Sequence, residues 1–153
     1  MLKKSLQKEI EEKLDLDIVS VSGVSGGSIN QAAKLDIKDL GTCFLKWNTT
    51  ADPKMFSKEV TGLQLLQEAG TKLIIPEVIL QGTAKNGTGY LLLEFIRNGR
   101  PGGQSAQEFG AQLAALHAVH NSHFGLYENN YIGRLPQSNR RHEQWVDFFI
   151  EER

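Results

Sequence analysis

The sequence predicts an α+β protein: a five-stranded antiparallel sheet with one helix inserted after its third strand, followed by further helices. Three observations carry this expectation. Leucine and isoleucine recur every fourth residue at the amino end, five short extended runs are bounded by turn-forming residues, and Lys46, inside the third run, is followed by Glu59 on the apolar side of a predicted helix. A cation and an anion that local periodicity turns toward the same interior either meet or suffer desolvation.

Leu2, Leu6, Ile10 and Leu14, with charges between them, make an amphipathic first helix with one apolar stripe, which reads as a packing element. Extended segments are expected over Ile18–Val21, Ile29–Ile37 and Thr42–Asn48, with Lys38-Asp39-Leu40-Gly41 as the turn between the last two. In the third segment Cys43, Leu45 and Trp47 share one face, so Phe44 and Lys46 share the other. Asp52 followed by Pro53 opens a helix: the aspartate oxygen can cap it, and proline's missing N–H costs nothing at a helix start. Gly70 closes that helix, and Glu59 falls within the arc of Phe56, Val60, Leu63 and Leu66. Two more strands, Pro76–Gln81 and Tyr90–Ile96, flank Asn86-Gly87, a hairpin-turn dipeptide.

After Ile96 the composition changes. Arg97-Asn98-Gly99-Arg100-Pro101-Gly102-Gly103 is polar and turn-rich, so the chain divides into residues 1–96, a connector over 97–103 and a second region over 104–153. Ser105 with Glu108 has the capping-box spacing and opens a helix whose Phe109, Leu113 and Leu116 line one side. Residues 121–139 read as loop. The final helix, 142–153, gathers Trp145, Phe148 and Phe149 on one side.

With 153 residues, 40% apolar, 23% charged and a net charge of −1, the chain has the composition of an ordinary globular protein and implies neither a nucleic acid nor a membrane partner. Charges at Lys8, Glu9, Glu11 and Glu12 interrupt the amino terminus, leaving no secretory apolar core, and the expected location is cytoplasmic. Cys43, the single cysteine, has no internal disulfide partner and reads as a packed thiol.

The segment Gly23–Asn30 offers small residues and free backbone N–H groups, a type of loop that can lie close over phosphates. It lacks the lysine of a Walker A loop and the glycine spacing of a dinucleotide fingerprint, and alone it is equally a ligand-free hairpin. Lys46 and Glu59 add weight, because a glycine loop, a strand lysine and a helix glutamate follow in the order used by the kinase phosphate clamp. The alternative for that pair is a structural ion pair. Glu94, Phe95 and Ile96 end a strand just before the connector, where a kinase hinge presents backbone groups to adenine. His117, His120 and His123 are assigned no metal, since no cysteine or second ligand cluster accompanies them and Asn121-Ser122 ends their helix first.

Together with these features, the runs Gly26-Gly27-Ser28-Ile29-Asn30-Gln31, Phe44-Leu45-Lys46-Trp47-Asn48, Ile75-Pro76-Glu77-Val78, Leu91-Leu92-Leu93-Glu94 and Leu113-Ala114-Ala115-Leu116-His117 resemble the fructosamine kinase (ketosamine-3-kinase) family, an aminoglycoside-phosphotransferase-like group. Most distinctive are Phe124-Gly125-Leu126, Asn130-Tyr131-Ile132-Gly133 and Trp145-Val146-Asp147-Phe148-Phe149. The resemblance implies a protein-kinase-like small lobe over 1–96, a hinge over 97–103 and the first part of a large lobe over 104–153. It also implies ATP-dependent phosphorylation of the 3-hydroxyl of ketosamines, sugar adducts of amines or protein lysines, with ATP and Mg2+ as cofactors. On the same ground Gly26, Gly27, Ser28 and Ile29 would cover the phosphates, Lys46 and Glu59 would clamp them, and Glu94, Phe95 and Ile96 would form the adenine hinge. Ser28 stands where some members carry cysteine.

The family's general base and metal-binding aspartate belong to a His-Gly-Asp type motif and a later aspartate. No histidine here is followed two residues later by aspartate, and the only aspartate after Asp52 is Asp147. No catalytic residue is therefore assigned, and the base and metal ligands are expected beyond Arg153. The resemblance thus implies the nucleotide-binding half of the enzyme, inactive by itself. The alternative is a short nucleotide-binding or dimerisation module, pairing through exposed Trp145, Phe148 and Phe149.

Overall fold

A computed structural model describes residues 2–24, 29–100 and 102–153. Their contacts divide the chain into two units, Met1–Val60 with Pro76–Arg97 and Thr61–Ile75 with Asn98–Arg153.

The first unit holds α1 (Lys4–Leu14), β1 (Ile18–Gly23), β2 (Gln31–Ile37), β3 (Gly41–Asn48), the opening turns of α2 (Lys54–Glu68), β4 (Val78–Thr83) and β5 (Gly89–Glu94). The five strands form one antiparallel sheet, as the sequence predicts, and their order is β1-β2-β3-β5-β4. Leu6 and Ile10 of α1 are buried with Ala33, Leu35, Ile37, Cys43, Leu45, Trp47, Tyr90 and Leu92, so the helix stripe and one sheet face close a single core. Asp15 ends α1 in the left-handed region, and the Glu11 carboxylate accepts the Ile18 N–H at 3.0 Å, tying the helix end to the first strand. The β2–β3 turn needs positive φ at Asp39 (62°) and Gly41 (91°), which aspartate tolerates and glycine adopts freely.

Strand limits differ from expectation where a backbone donor is missing or an acceptor is engaged elsewhere. β4 starts at Val78 instead of Pro76, because proline has no N–H to give a ladder. β2 starts at Gln31, since Ile29 and Asn30 are engaged by the Asn48 side chain. At α2 the Asp52 carboxylate accepts the Lys54 N–H at 2.9 Å, the predicted cap.

The second unit contains the remainder of α2, α3 (Ser105–His117), a small hairpin of β6 (Asn130–Ile132) and β7 (Leu135–Gln137), and α4 (Trp145–Glu152). The capping box expected at Ser105 does not form: its hydroxyl accepts the Gly102 N–H at 2.6 Å, Gln104 is the N-cap, and no side chain caps the helix. Phe109 is exposed. The loop expected over 121–139 contains the hairpin, held by buried Asn139, whose amide donates to Asn130 Oδ1 at 2.8 Å and to the Glu128 carbonyl at 3.2 Å. α4 starts at Trp145 and not at residue 142, because His142 exchanges two 2.9 Å backbone hydrogen bonds with Phe124 in an extended bridge. Of the three aromatic residues expected on an exposed side, Phe148 is turned inward at 5% exposure, while Trp145 and Phe149 stand at 52% and 55%. Among the described residues no helix is long and apolar enough to cross a membrane.

Candidate phosphate-binding site

The site begins with the alternation of β3. Cys43, Leu45 and Trp47 are drawn into the core, so Phe44, Lys46 and Asn48 must face the other side of the sheet. Lys46 lies between Ala32 of β2 and Leu91 of β5, whose side chains have no polar group for its ammonium. α2 supplies the partner. Lys46 Nζ donates to both carboxylate oxygens of Glu59, at 2.6 and 2.8 Å, with side-chain exposures of 23% and 30%. A lysine ammonium carries three donors, and the pair engages two of them while leaving the group partly open to solvent.

The sequence-predicted residues are placed as follows. Lys46 and Glu59 are in direct contact. Glu94 closes β5 opposite Cys43, its N–H donating to the Glu77 carbonyl at 2.9 Å, and Phe95 and Ile96 continue in irregular backbone. Lys46 is paired with Leu91, so the strand end at Glu94 lies about 10 Å further along at the usual rise per residue. The Lys34 ammonium sits 5.6 Å from the Phe95 ring centroid, a cation–π contact at this strand end. Ile29 is held through its carbonyl by the Asn48 amide at 2.7 Å. Gly26, Gly27 and Ser28 lie outside the described residues.

Sequence reasoning missed the role of Asn48, which is buried and bonded on both sides. Its only signal was its position two residues after Lys46, on the same strand face. Cys43 is a buried free thiol whose pKa burial pushes up, as expected for a packed and unreactive side chain.

A second polar cluster, also unforeseen, lies in the second unit. Glu152 Oε1 accepts from Arg140 Nε at 2.7 Å and lies 3.2 Å from His142 Nε2, and Arg140 also reaches Glu151 at 3.3 Å. Potential ligand atoms of His142, Glu151 and Glu152 lie within 4.8 Å of one another. The Arg140 guanidinium contacts both carboxylates and offsets one of their two negative charges, so the cluster reads as a structural ion-pair network. The Ser138 hydroxyl, followed by His142 and Arg140, holds the Glu152 carboxyl down at about 2, against the opposing effect of desolvation.

Comparison with known proteins adds to this geometry. The family model described as fructosamine kinase matches residues 2–153. A chloroplastic protein-ribulosamine 3-kinase from Arabidopsis thaliana is 34% identical over 138 residues, covering 89% of this chain and 41% of the relative. A candidate ketoamine kinase from Lactiplantibacillus plantarum is 39% identical over 137 residues, covering 90% and 46%. The chain thus spans about half the length of the curated relatives it matches. Among solved structures, a candidate fructosamine-3-kinase from Haemophilus somnus superimposes with a TM-score of 0.83 at 25% identity, over 98% of this chain and 51% of that one. Another, from Thermobifida fusca, gives 0.78 at 23% identity over 99% and 52%, and shares the fold.

Proposed function

This chain belongs to the fructosamine kinase family, and from that premise we propose that it is the nucleotide-binding half of an ATP-dependent kinase that phosphorylates the 3-hydroxyl of ketosamines. The observation that carries the reading is the bidentate Lys46–Glu59 contact, with Lys46 flanked on the neighbouring strands by Ala32 and Leu91. In phosphoryl transfer the protein contributes mainly positioning and charge stabilisation. Here the Glu59 carboxylate orients the Lys46 ammonium before nucleotide arrives, so less side-chain freedom is lost on binding. The remaining donor of Lys46 addresses phosphate oxygens, Gly26, Gly27, Ser28 and Ile29 cover them, and the backbone of Glu94, Phe95 and Ile96 meets the adenine edge.

The donor set fits a nucleotide triphosphate: a cation held at fixed orientation, about 10 Å along the sheet from a strand end with irregular backbone. When bound, Mg2+ neutralises charge on the phosphates. Glu59 is committed to Lys46, and no residue among those described is assigned as a metal ligand or as the base that accepts the sugar hydroxyl's proton. The acceptor class follows the names of the relatives, ribulosamine and ketoamine kinases.

Calorimetric titration of ATP with Mg2+ into the wild-type chain and Lys46→Ala tests the clamp. Affinity is expected to fall at least about tenfold in the variant, as for loss of a charge-assisted contact. Equal affinity would remove the assignment and leave the pair a structural one.

A second reading, self-association of the chain, is favoured by one observation: Trp145, Val146, Phe149 and Ile150 form an exposed apolar stripe on α4. Sedimentation equilibrium decides it, a concentration-dependent dimer supporting the pairing and a monomer across the range ending it.

A further inference from the structure

We propose that Asn48 is a positioning residue for nucleotide binding, fixing the exit of the glycine-bearing β1–β2 connection onto the strand that carries Lys46. The inference rests on the nucleotide-binding reading above and adds a residue to it. Asn48 is the last residue of β3, two positions from Lys46 and on the same face. The residue is 6% exposed, and its side chain is bonded at both ends. Nδ2 donates to the Ile29 carbonyl at 2.7 Å and to Asn30 Oδ1 at 3.0 Å. Oδ1 accepts from the N–H groups of Thr50 and Ala51, each at 2.9 Å, and from the Thr50 hydroxyl at 3.1 Å.

The connection presents two acceptors and the turn after β3 presents donors, so one side chain must donate on one side and accept on the other. The amide of Asn48 meets both demands with one side chain. A flipped amide would set its NH2 against the two N–H groups of the turn. Ile29 and Asn30 stand outside the β2 ladder, which begins at Gln31, so the amide is a specific anchor for them. The turn it caps leads directly to the Asp52 cap of α2 and hence to Glu59. One side chain therefore registers three pieces: the connection, the lysine strand and the start of the glutamate helix.

Asn48→Asp separates the two sides. The carboxylate keeps the shape and can still accept from Thr50 and Ala51, but faces Ile29 and Asn30 with lone pairs where donors stood. Asn48→Ala, which adds no charge, controls for repulsion between a new carboxylate and phosphates. Affinities for ATP and adenosine are measured on both variants, on wild type and on Lys46→Ala, with circular dichroism to verify folding. Nitrogen-15 relaxation of the Ile29 and Asn30 amides gives a readout that needs no nucleotide.

Both Asn48 variants are expected to weaken ATP about tenfold while adenosine changes less than about twofold, and Ile29 and Asn30 are expected to gain fast motion. Equal loss for ATP and adenosine would reduce Asn48 to a folding role and overturn the proposal. Unchanged ATP affinity in folded Asn48 variants, with Lys46→Ala still impaired, would overturn it while leaving the clamp intact. Unchanged ATP affinity in Lys46→Ala, or none in wild type, would instead remove the clamp reading. In that case the nucleotide role of Asn48 falls with it, whatever the relaxation shows.

Discussion

Removing the charge of Glu59 tests how much the Lys46 contact contributes to the fold apart from any ligand. Solvent-exposed ion pairs couple by about 0.2–1 kcal/mol, whereas breaking a buried pair costs about 3–5 kcal/mol. At 23% and 30% side-chain exposure this pair lies between those limits. Two unit charges about 4 Å apart attract by about 4 kcal/mol at an effective dielectric of about 20, and desolvation offsets a large part of that. A coupling of about 2 kcal/mol is therefore expected from a double-mutant cycle of Lys46→Met and Glu59→Gln. Trp47 is buried in the first unit and Trp145 belongs to the second, so urea unfolding followed by tryptophan fluorescence in a Trp145→Phe background reports the first unit alone. Because the pair is mostly shielded, more than half of the coupling should survive at about 0.5 M salt. A coupling below about 0.5 kcal/mol would refute the argument that partial burial strengthens this contact beyond a surface pair.

Two further outcomes are expected. At Gly82, opposite Tyr90 in the β4–β5 ladder, an added Cβ would lie 2.6 Å from the Tyr90 hydroxyl oxygen and 2.8 Å from Cζ, against a ring with no exposed surface. Gly82→Ala should cost about 1–3 kcal/mol in urea unfolding, part of it recovered by adding Tyr90→Phe; a neutral Gly82→Ala would contradict the packing described. The Glu152 carboxyl is depressed from its ordinary 4.5 to about 2, so its contribution to stability is present above the unfolded value and is lost as pH falls through that interval. The melting-temperature gap between wild type and Glu152→Gln should be widest above about pH 5 and close toward pH 2, and a gap constant over that range would rule the assignment out.

The sheet and its inserted helix could be read from the sequence because local rules and tertiary packing agree there. Four-residue recurrence set the stripe of α1, period-two alternation set the faces of β3, and Asp52, Gly41 and Gly87 marked positions that only capping or positive φ explains. The same rules brought Lys46 to Glu59, since the strand period and the helix period each turn one charge inward. Where long-range partners decide, the signal was absent. Asn48 reads as a strand end and Asn139 as a loop residue, yet each is buried because the groups it satisfies come from distant backbone, at Ile29 and Glu128. The β6–β7 strands have three residues each, too short for alternation to register. Phe148 turns inward although Phe149 does not, a distinction helical spacing alone did not make. Ser105 shows the opposite error: the capping-box spacing is present, but a nearer backbone donor at Gly102 takes the hydroxyl.

The arrangement of β3 makes its register the quantity on which both stability and the candidate site depend. A slip of one residue would turn Cys43, Leu45 and Trp47 out of the core and Phe44, Lys46 and Asn48 into it, so a core error and a site error would be the same event. The strand is fixed at both ends by different means. At its start, the Asp39–Gly41 turn leaves few backbone geometries for joining β2 to β3. At its end, the Asn48 amide accepts only a partner set that provides acceptors on one side and donors on the other. The hydrophobic face specifies which residues are buried to within two positions, and the two ends resolve which of those registers is adopted. Lys46, two residues from the second anchor, thereby meets Glu59 without requiring any contact of its own to set the strand.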